Sequence, residues 1–213
     1  MVDKIAPGAD ILDMDATTLA AKIAGQELTS LEVTEAFIAH LQRIQPQLNC
    51  LVEDRFEESR AEARKADQDL ANGLAKGRLF GVPISIKESF HVAGMRTTSG
   101  LPHRRDLVEE QDAEIVARLK GEGAIILGKS NTPVLCFCQE TDNKLYGRSN
   151  NPWDPARTPG GSSGGEGALI AAGGAAVGIG SDIGGSIRFP SHFNGVVGFR
   201  SGNRQVSQEG SFP

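Results

Sequence analysis

The stretch from Thr158 to Pro190, TPGGSSGGEGALIAAGGAAVGIGSDIGGSIRFP, constrains this chain more than any other: 11 of its 33 residues are glycine, and its serines stand inside the glycine runs. Glycine loses more conformational freedom on folding than any other residue, so such density marks backbone that turns tightly or approaches another group closely. A site is the reading this favours. Ser163 and Glu166 have capping-box spacing ahead of Ala168 to Ala172, and Gly173 with Gly174 supplies a stop, which predicts a helix between them. Ala175 to Ile179 reads as a short strand, after which SDIGGSIRFP turns through Gly184 and Gly185 onto Ser186. Two glycines before a serine allow backbone N–H groups to converge on one spot, as a developing oxyanion requires. Ser186 is thereby a candidate nucleophile.

A serine hydroxyl needs a base. The four histidines are His40, His91, His103 and His192, and none sits in a glycine-framed or carboxylate-paired context. His40 falls on a helix and His91 and His103 in loops, where each reads as a surface residue; His192 lies only six residues beyond Ser186. The string Gly161-Ser162-Ser163-Gly164-Gly165 matches the nucleophile elbow of α/β-hydrolases, with Ser163 as attacker. Against that reading, no clear strand feeds the turn, and little chain remains to carry an Asp and then a His.

Upstream, Asp15 to Ile23 reads as a short helix, and Thr29 with Glu32 opens a longer one whose apolar stripe is Val33, Phe37, Leu41 and Ile44, with Pro46 as its expected end. Leu48 to Val52 reads as an apolar link. Asp54 to Leu74 reads as a largely solvated helix with a thin buried stripe at Ala63, Ala66, Leu70 and Leu74. The period then changes to two: in GVPISIK, Val82, Ile84 and Ile86 alternate with Pro83, Ser85 and Lys87, which puts Lys87 on the Ser85 face at a strand end. A helix at Asp112 to Lys120 and a strand at Ala124 to Leu127 complete a strand–helix–strand crossover, so the fold class is α/β with parallel strands. The connection from Glu88 to Gln111 is long and borders a site in this reading. VLCFCQE reads as a short strand with Cys136 and Cys138 on one face.

Composition excludes more than it assigns. A formal net charge of -5 without clustered Lys or Arg argues against nucleic acid as a partner. The start MVDKIAPGAD lacks the apolar run of a leader, and no 18-residue apolar span occurs, so the expectation is a cytoplasmic, soluble chain without a transmembrane segment. Three cysteines, Cys50, Cys136 and Cys138, give neither a disulfide framework nor a zinc spacing, and read as buried thiols.

Several separate motifs, in order, carry a resemblance: GRLFGVPISIKE, GKSNTP, ETDNKLYGRSNNPWD, PGGSSGGEGALIAAGG and GIGSDIGGSIRFP. From about Leu79 to Phe199 the chain resembles the amidase signature family, serine hydrolases that use a Ser-Ser-Lys triad. Its spacing is similar to that of fatty-acid-amide-hydrolase-like members, with 24 residues between the two serines and 99 from Lys87 to Ser186. The resemblance implies Ser186 as nucleophile, Lys87 as base and Ser162 as bridging serine behind a cis Gly161-Ser162 peptide. It implies an oxyanion hole from the N–H groups of Ile183, Gly184, Gly185 and Ser186, an Asp182–Arg188 pair across the turn, and Ser163 in support of Ser162. Lys129 also follows a strand, and only the joint motif selects Lys87. No metal and no organic cofactor is implied.

The implied fold is the amidase signature fold, a mixed, mainly parallel sheet flanked by helices, with an N-terminal helical region at residues 1–77 packing on an α/β core at residues 78–213. After VVGFR the family usually reads toward a Lys-Pro-Thr turn and a long second half; here FRSGNRQVSQEGSFP follows, and the expectation is an N-terminal portion with the C-terminal half absent. The implied reaction is hydrolysis of a small-molecule carboxamide. The alternatives are an inactive or assembly-dependent fragment of such an enzyme, or the amidotransferase subunit of the same family; the partners in view besides the substrate are a second copy in a homo-oligomer or a complementary C-terminal half.

Overall fold

The computed structural model describes residues 9–212, so most of the opening stretch, whose lack of an apolar run carries the expectation of no leader, lies outside the described residues. The centre of the fold is a four-stranded sheet in the order β1-β3-β2-β4, with β1 at Leu51–Asp54, β2 at Pro83–Lys87, β3 at Ile125–Ser130 and β4 at Gly178–Ile179. β2 is parallel to β3, as the crossover spacing predicts, and also to β4, while β1 is antiparallel to β3. The sheet is therefore mixed and mainly parallel. All five residues of β2 and all six of β3 are buried, so the alternation read in GVPISIK separates two covered faces rather than a core face from a wet one.

The N-terminal helices are α1 at Ala9–Leu12, α2 at Ala16–Ala24, α3 at Ser30–Leu48 and α4 at Phe56–Ala71. Asp15 caps α2, and Thr29 with Glu32 forms the expected capping box on α3. The α3 stripe Val33, Phe37, Leu41 and Ile44 is wholly buried, in one apolar core with Ile84, Ile86, Ile126 and Leu169. Pro46 does not end α3. A proline near a helix end forfeits one intrahelical bond, and here the termination falls at Asn49, whose φ of 46° breaks the helix while its N–H still reaches the Gln45 carbonyl at 2.8 Å. The Gln45 side-chain oxygen then accepts from the N–H groups of Cys50 and Leu51, turning the chain into β1.

That strand replaces the apolar link expected at 48–52. α4 buries Ala63 and Ala66, but Leu74 lies beyond its end and is 58% exposed, outside the predicted stripe. His40 is a second correction: rather than lying at the surface it is buried, with Nε2 at 2.6 Å from the Ala172 carbonyl. The VLCFCQE strand does not form either. Leu135 and Cys136 have φ of 52° and 58°, which no strand accommodates, and Val134–Cys136 is a kinked 3-10 turn. Of the three thiols, only Cys50 is buried; Cys138 is exposed.

Three further helices complete the chain: α5 at Glu114–Gly121, between the parallel strands, α6 at Gly164–Ala171 and α7 at Arg188–Asn194. α6 touches all four strands, and α7 packs on α6. Glycines at the contacts of α6 are what admit it. A Cβ on Gly165 would press into the backbone of Asn131 just after β3, and one on Gly178 would strike the Glu166 carboxylate. Among the described residues no helix is long and apolar enough to cross a membrane.

Candidate active site

Register places the two strand-end lysines on opposite faces. Lys87 pairs with Ser130 and Ile86 with Lys129 across β2 and β3, so adjacent positions send one ammonium to each side of the sheet. Lys129 donates to Thr97 Oγ1 at 2.9 Å and to the Arg96 carbonyl, fixing the long connection after β2, and burial pushes its pKa down to about 8. Lys87 points to the α6 face, wholly buried, and its Nζ donates to Ser162 Oγ at 2.6 Å and to Ser181 Oγ at 2.9 Å. Burial pushes the Lys87 pKa down, while nearby Cys136, Glu166 and Asp182 pull the other way.

Ser162 stands at the entry to α6, with a cis peptide between it and Gly161. Its carbonyl accepts from Thr132 Oγ1 at 3.0 Å, and Thr132 also meets Cys136 Sγ at 3.3 Å. Ser163 does not form the predicted capping box with Glu166. Its hydroxyl spans to the second glycine run instead, accepting from the Ser181 N–H and donating to the Ser181 carbonyl, both at 3.3 Å. The Ser163 N–H donates to the Ser186 carbonyl at 3.1 Å, so the two runs are stitched together through backbone.

The turn that carries Ser186 is held by Asp182. Its side chain is fully covered and accepts from the N–H groups of Gly185, Ile187 and Arg188 at 2.8, 3.0 and 3.2 Å. Arg188 completes the set with Nε at 3.1 Å and Nη2 at 2.9 Å, so the expected Asp182–Arg188 pair forms a two-pronged bridge. Burial alone would raise the Asp182 pKa; the hydrogen bonds from Arg188 and the three backbone donors outweigh it and hold the carboxyl well below the usual carboxylate range. The Gly185 N–H is thus turned to Asp182. The N–H groups of Ile183, Gly184 and Ser186 make no hydrogen bond among the described residues, and they flank a half-buried Ser186 hydroxyl. No hydrogen bond joins that hydroxyl to Ser162 or Lys87 among the described residues.

Comparison with known proteins settles the kinship. The sequence model of the family described as Amidase matches residues 32–213. The chain belongs to the amidase family. It is 45% identical to fatty-acid amide hydrolase 2-A of Danio rerio over 95% of this chain and 40% of that relative. An indoleacetamide hydrolase from Bradyrhizobium diazoefficiens is 41% identical over 90% of this chain and 36% of its own length. Among solved structures, a fatty acid amide hydrolase superposes with a TM-score of 0.92 at 32% identity, over 97% of this chain and 37% of that one. The chain therefore has the amidase signature fold and spans about 40% of the length of the curated relatives it matches.

Within this amidase-family fold, sequence reasoning overlooked Thr132, Cys136 and Ser181, which surround the Lys87–Ser162 pair. Ser181 had a signal: it directly precedes Asp182 in GSDIGGS. Among the described residues no cluster of three or more His, Cys, Asp or Glu side chains could hold a metal ion.

Proposed function

We propose that this chain carries the catalytic portion of an amidase that hydrolyses a small-molecule carboxamide to an acid and an amine. The observation that carries this reading is the buried 2.6 Å contact of Lys87 Nζ with Ser162 Oγ. A lysine with a pKa of about 10.4 is a neutral base in only about one molecule in a thousand or fewer near neutral pH. Burial changes that proportion for Lys87 in the favourable direction. Neutral Lys87 takes the Ser162 proton across this contact while Ser162 takes the proton of Ser186, whose oxygen adds to the substrate carbonyl. The proton returns by the same route to the departing amine as the C–N bond breaks, leaving an acyl group on Ser186 for water to remove. Ile183, Gly184 and Ser186 N–H groups receive the oxyanion, with Gly185 contributing only if it shares its bond to Asp182.

The substrate class follows from the relatives, a fatty-acid amide hydrolase and an indoleacetamide hydrolase among them. The reading keeps the chain in the cytoplasm, in line with three thiols that are all free. Fluorophosphonate labelling tests it: wild type is expected to label and Ser186→Ala to remain unlabelled.

A second reading is favoured by the apolar side chains around the turn. Ile183 is 81% exposed, Phe137 83%, Phe199 81% and Val197 98%. Such a face suits cover by further polypeptide. On this reading the site becomes competent only with a complementary C-terminal segment, and labelling of Ser186 would require its addition.

A further inference from the structure

Glu166 occupies the capping-box position on α6 but caps nothing. Both of its carboxylate oxygens are bound from the sheet, Oε1 by Ser85 Oγ of β2 and Oε2 by Ser130 Oγ of β3. Ser85 lies two residues before Lys87 on the same strand face, and Ser130 is the register partner of Lys87. The carboxyl therefore sits beneath the Lys87 amine, on the helix whose entry carries Ser162. Each group on the sheet side is accounted for: Lys87 and Ser85 from β2, Ser130 from β3, the Cys50 thiol from the segment before β1, and the Gly178 backbone from β4. Lys87 is the one cation in that set.

We propose that Glu166 is a positioning residue acting through Lys87: it braces the Ser162-bearing helix against the Lys87 strand and supplies the counter-charge for the ammonium that Lys87 becomes on accepting the proton. This rests on the amidase reading above. A buried ammonium without a counter-ion is costly, so a relay that protonates Lys87 in mid-reaction requires one within the same dry pocket. Cys136 and Asp182 also act on Lys87, but the Cys136 thiol lies across the pocket against Thr132, and the Asp182 carboxylate is committed to five donors in the turn. Glu166 has only two hydroxyls, which orient it without neutralising it. Burial raises its pKa to about 7, against the Ser130 and Ser85 hydrogen bonds and the Lys87 charge, all of which lower it. Ionised Glu166 in turn raises the pKa of Lys87 and makes it the stronger base.

Two measurements test the coupling. In the first, the 213-residue chain with 13C-labelled glutamate carboxyls is titrated by NMR, with the Glu166 signal assigned by its loss in Glu166→Gln. The Glu166 midpoint should rise by about one pH unit in Lys87→Met, where no ammonium opposes its protonation; the same midpoint in both would overturn the proposal. In the second, the rate of fluorophosphonate labelling at Ser186 is followed against pH. Glu166→Gln should lower the plateau and move the acid limb about one unit toward lower pH, because Lys87 loses the charge that held its pKa up. A plateau lowered by one constant factor at every pH would mean a structural brace only and overturn it. Absence of labelling in the wild type, both alone and with the complementary C-terminal segment added, would remove the amidase reading itself, leaving the NMR midpoints to decide the role of Glu166.

Discussion

Replacing Asp182 with Asn tests how the nucleophile turn is held. The wild-type carboxylate is fully covered and takes three backbone N–H bonds and two from Arg188. An amide keeps the shape but has one accepting oxygen, and its NH2 group must face donors that previously met an oxygen. Removing one partner from a buried pair costs about 3–5 kcal/mol. The Arg188 side chain is 58% exposed, so water screens its share, and the expected loss is about 3 kcal/mol, most of it from backbone N–H groups left unsatisfied. Urea unfolding of both proteins at neutral pH measures it. Arg188→Gln is the control: it leaves the three backbone bonds in place and removes only a solvent-screened partner, so its cost should be clearly the smaller. The sign with pH follows from the depressed pKa of Asp182. Its contribution is fully present above the ordinary carboxylate range and is lost as pH falls through its lower folded-state value, so the two proteins should converge in stability in acid. A loss below about 1 kcal/mol for Asp182→Asn, or one equal to that of Arg188→Gln, would refute the argument that the backbone donors dominate.

Lys87→Ala should slow amide cleavage more than ester cleavage, because an amine leaving group needs the returned proton; equal losses on matched substrates would contradict the relay. Relative to wild type, Lys87→Met should gain stability as pH falls, since a buried amine disfavours its own charge, while the bonds to Ser162 and Ser181 are lost at every pH. The folded-state pKa of Lys87 lies below the unfolded value, so that gain should shrink as pH rises toward about 10.4, which denaturation at several pH values reports. Gly165→Ala should lose about 1–3 kcal/mol in thermal unfolding by forcing α6 off Asn131, whereas Gly184→Ala, whose Cβ would meet nothing within 4 Å, should unfold like wild type.

The parallel β2–β3 pair was legible because GVPISIK and Ala124–Leu127 each carry a strand signal and a helix separates them. The glycine-rich stretch was legible as a place of close approach, and Gly165 against Asn131 supplies the physical reason. What stayed hidden depends on partners distant in sequence. β1 is four residues whose pairing with β3 crosses more than 70 positions, and neither a proline at 46 nor a polar end at Asp54 announces a strand. His40 is polar on a helix and reads as exposed until the Ala172 carbonyl is brought to it. Leu135 and Cys136 look like strand residues by type, but a chain leaving β3 must bend to meet the Ser99 carbonyl, and their φ values record that bend.

Glu166 shows why local rules misled at the site in particular. Spacing alone gives Ser163 and Glu166 a reciprocal cap, worth about 1 kcal/mol to an exposed helix. The helix is not exposed: Ser163 and Glu166 are both buried, and each finds a partner across the fold, Ser181 for one and the two sheet serines for the other. A buried carboxyl left with a single backbone bond costs more than a missing cap, so tertiary partners win that competition. The same substitution of partners ties Ser162 to the strand that carries Lys87 and Ser163 to the turn that carries Ser186. A chain that restored the capping box, as Ser85→Ala with Ser130→Ala would favour, should keep α6 yet loosen the 2.6 Å contact between Lys87 and Ser162, visible as a loss of labelling rate larger than the loss of stability.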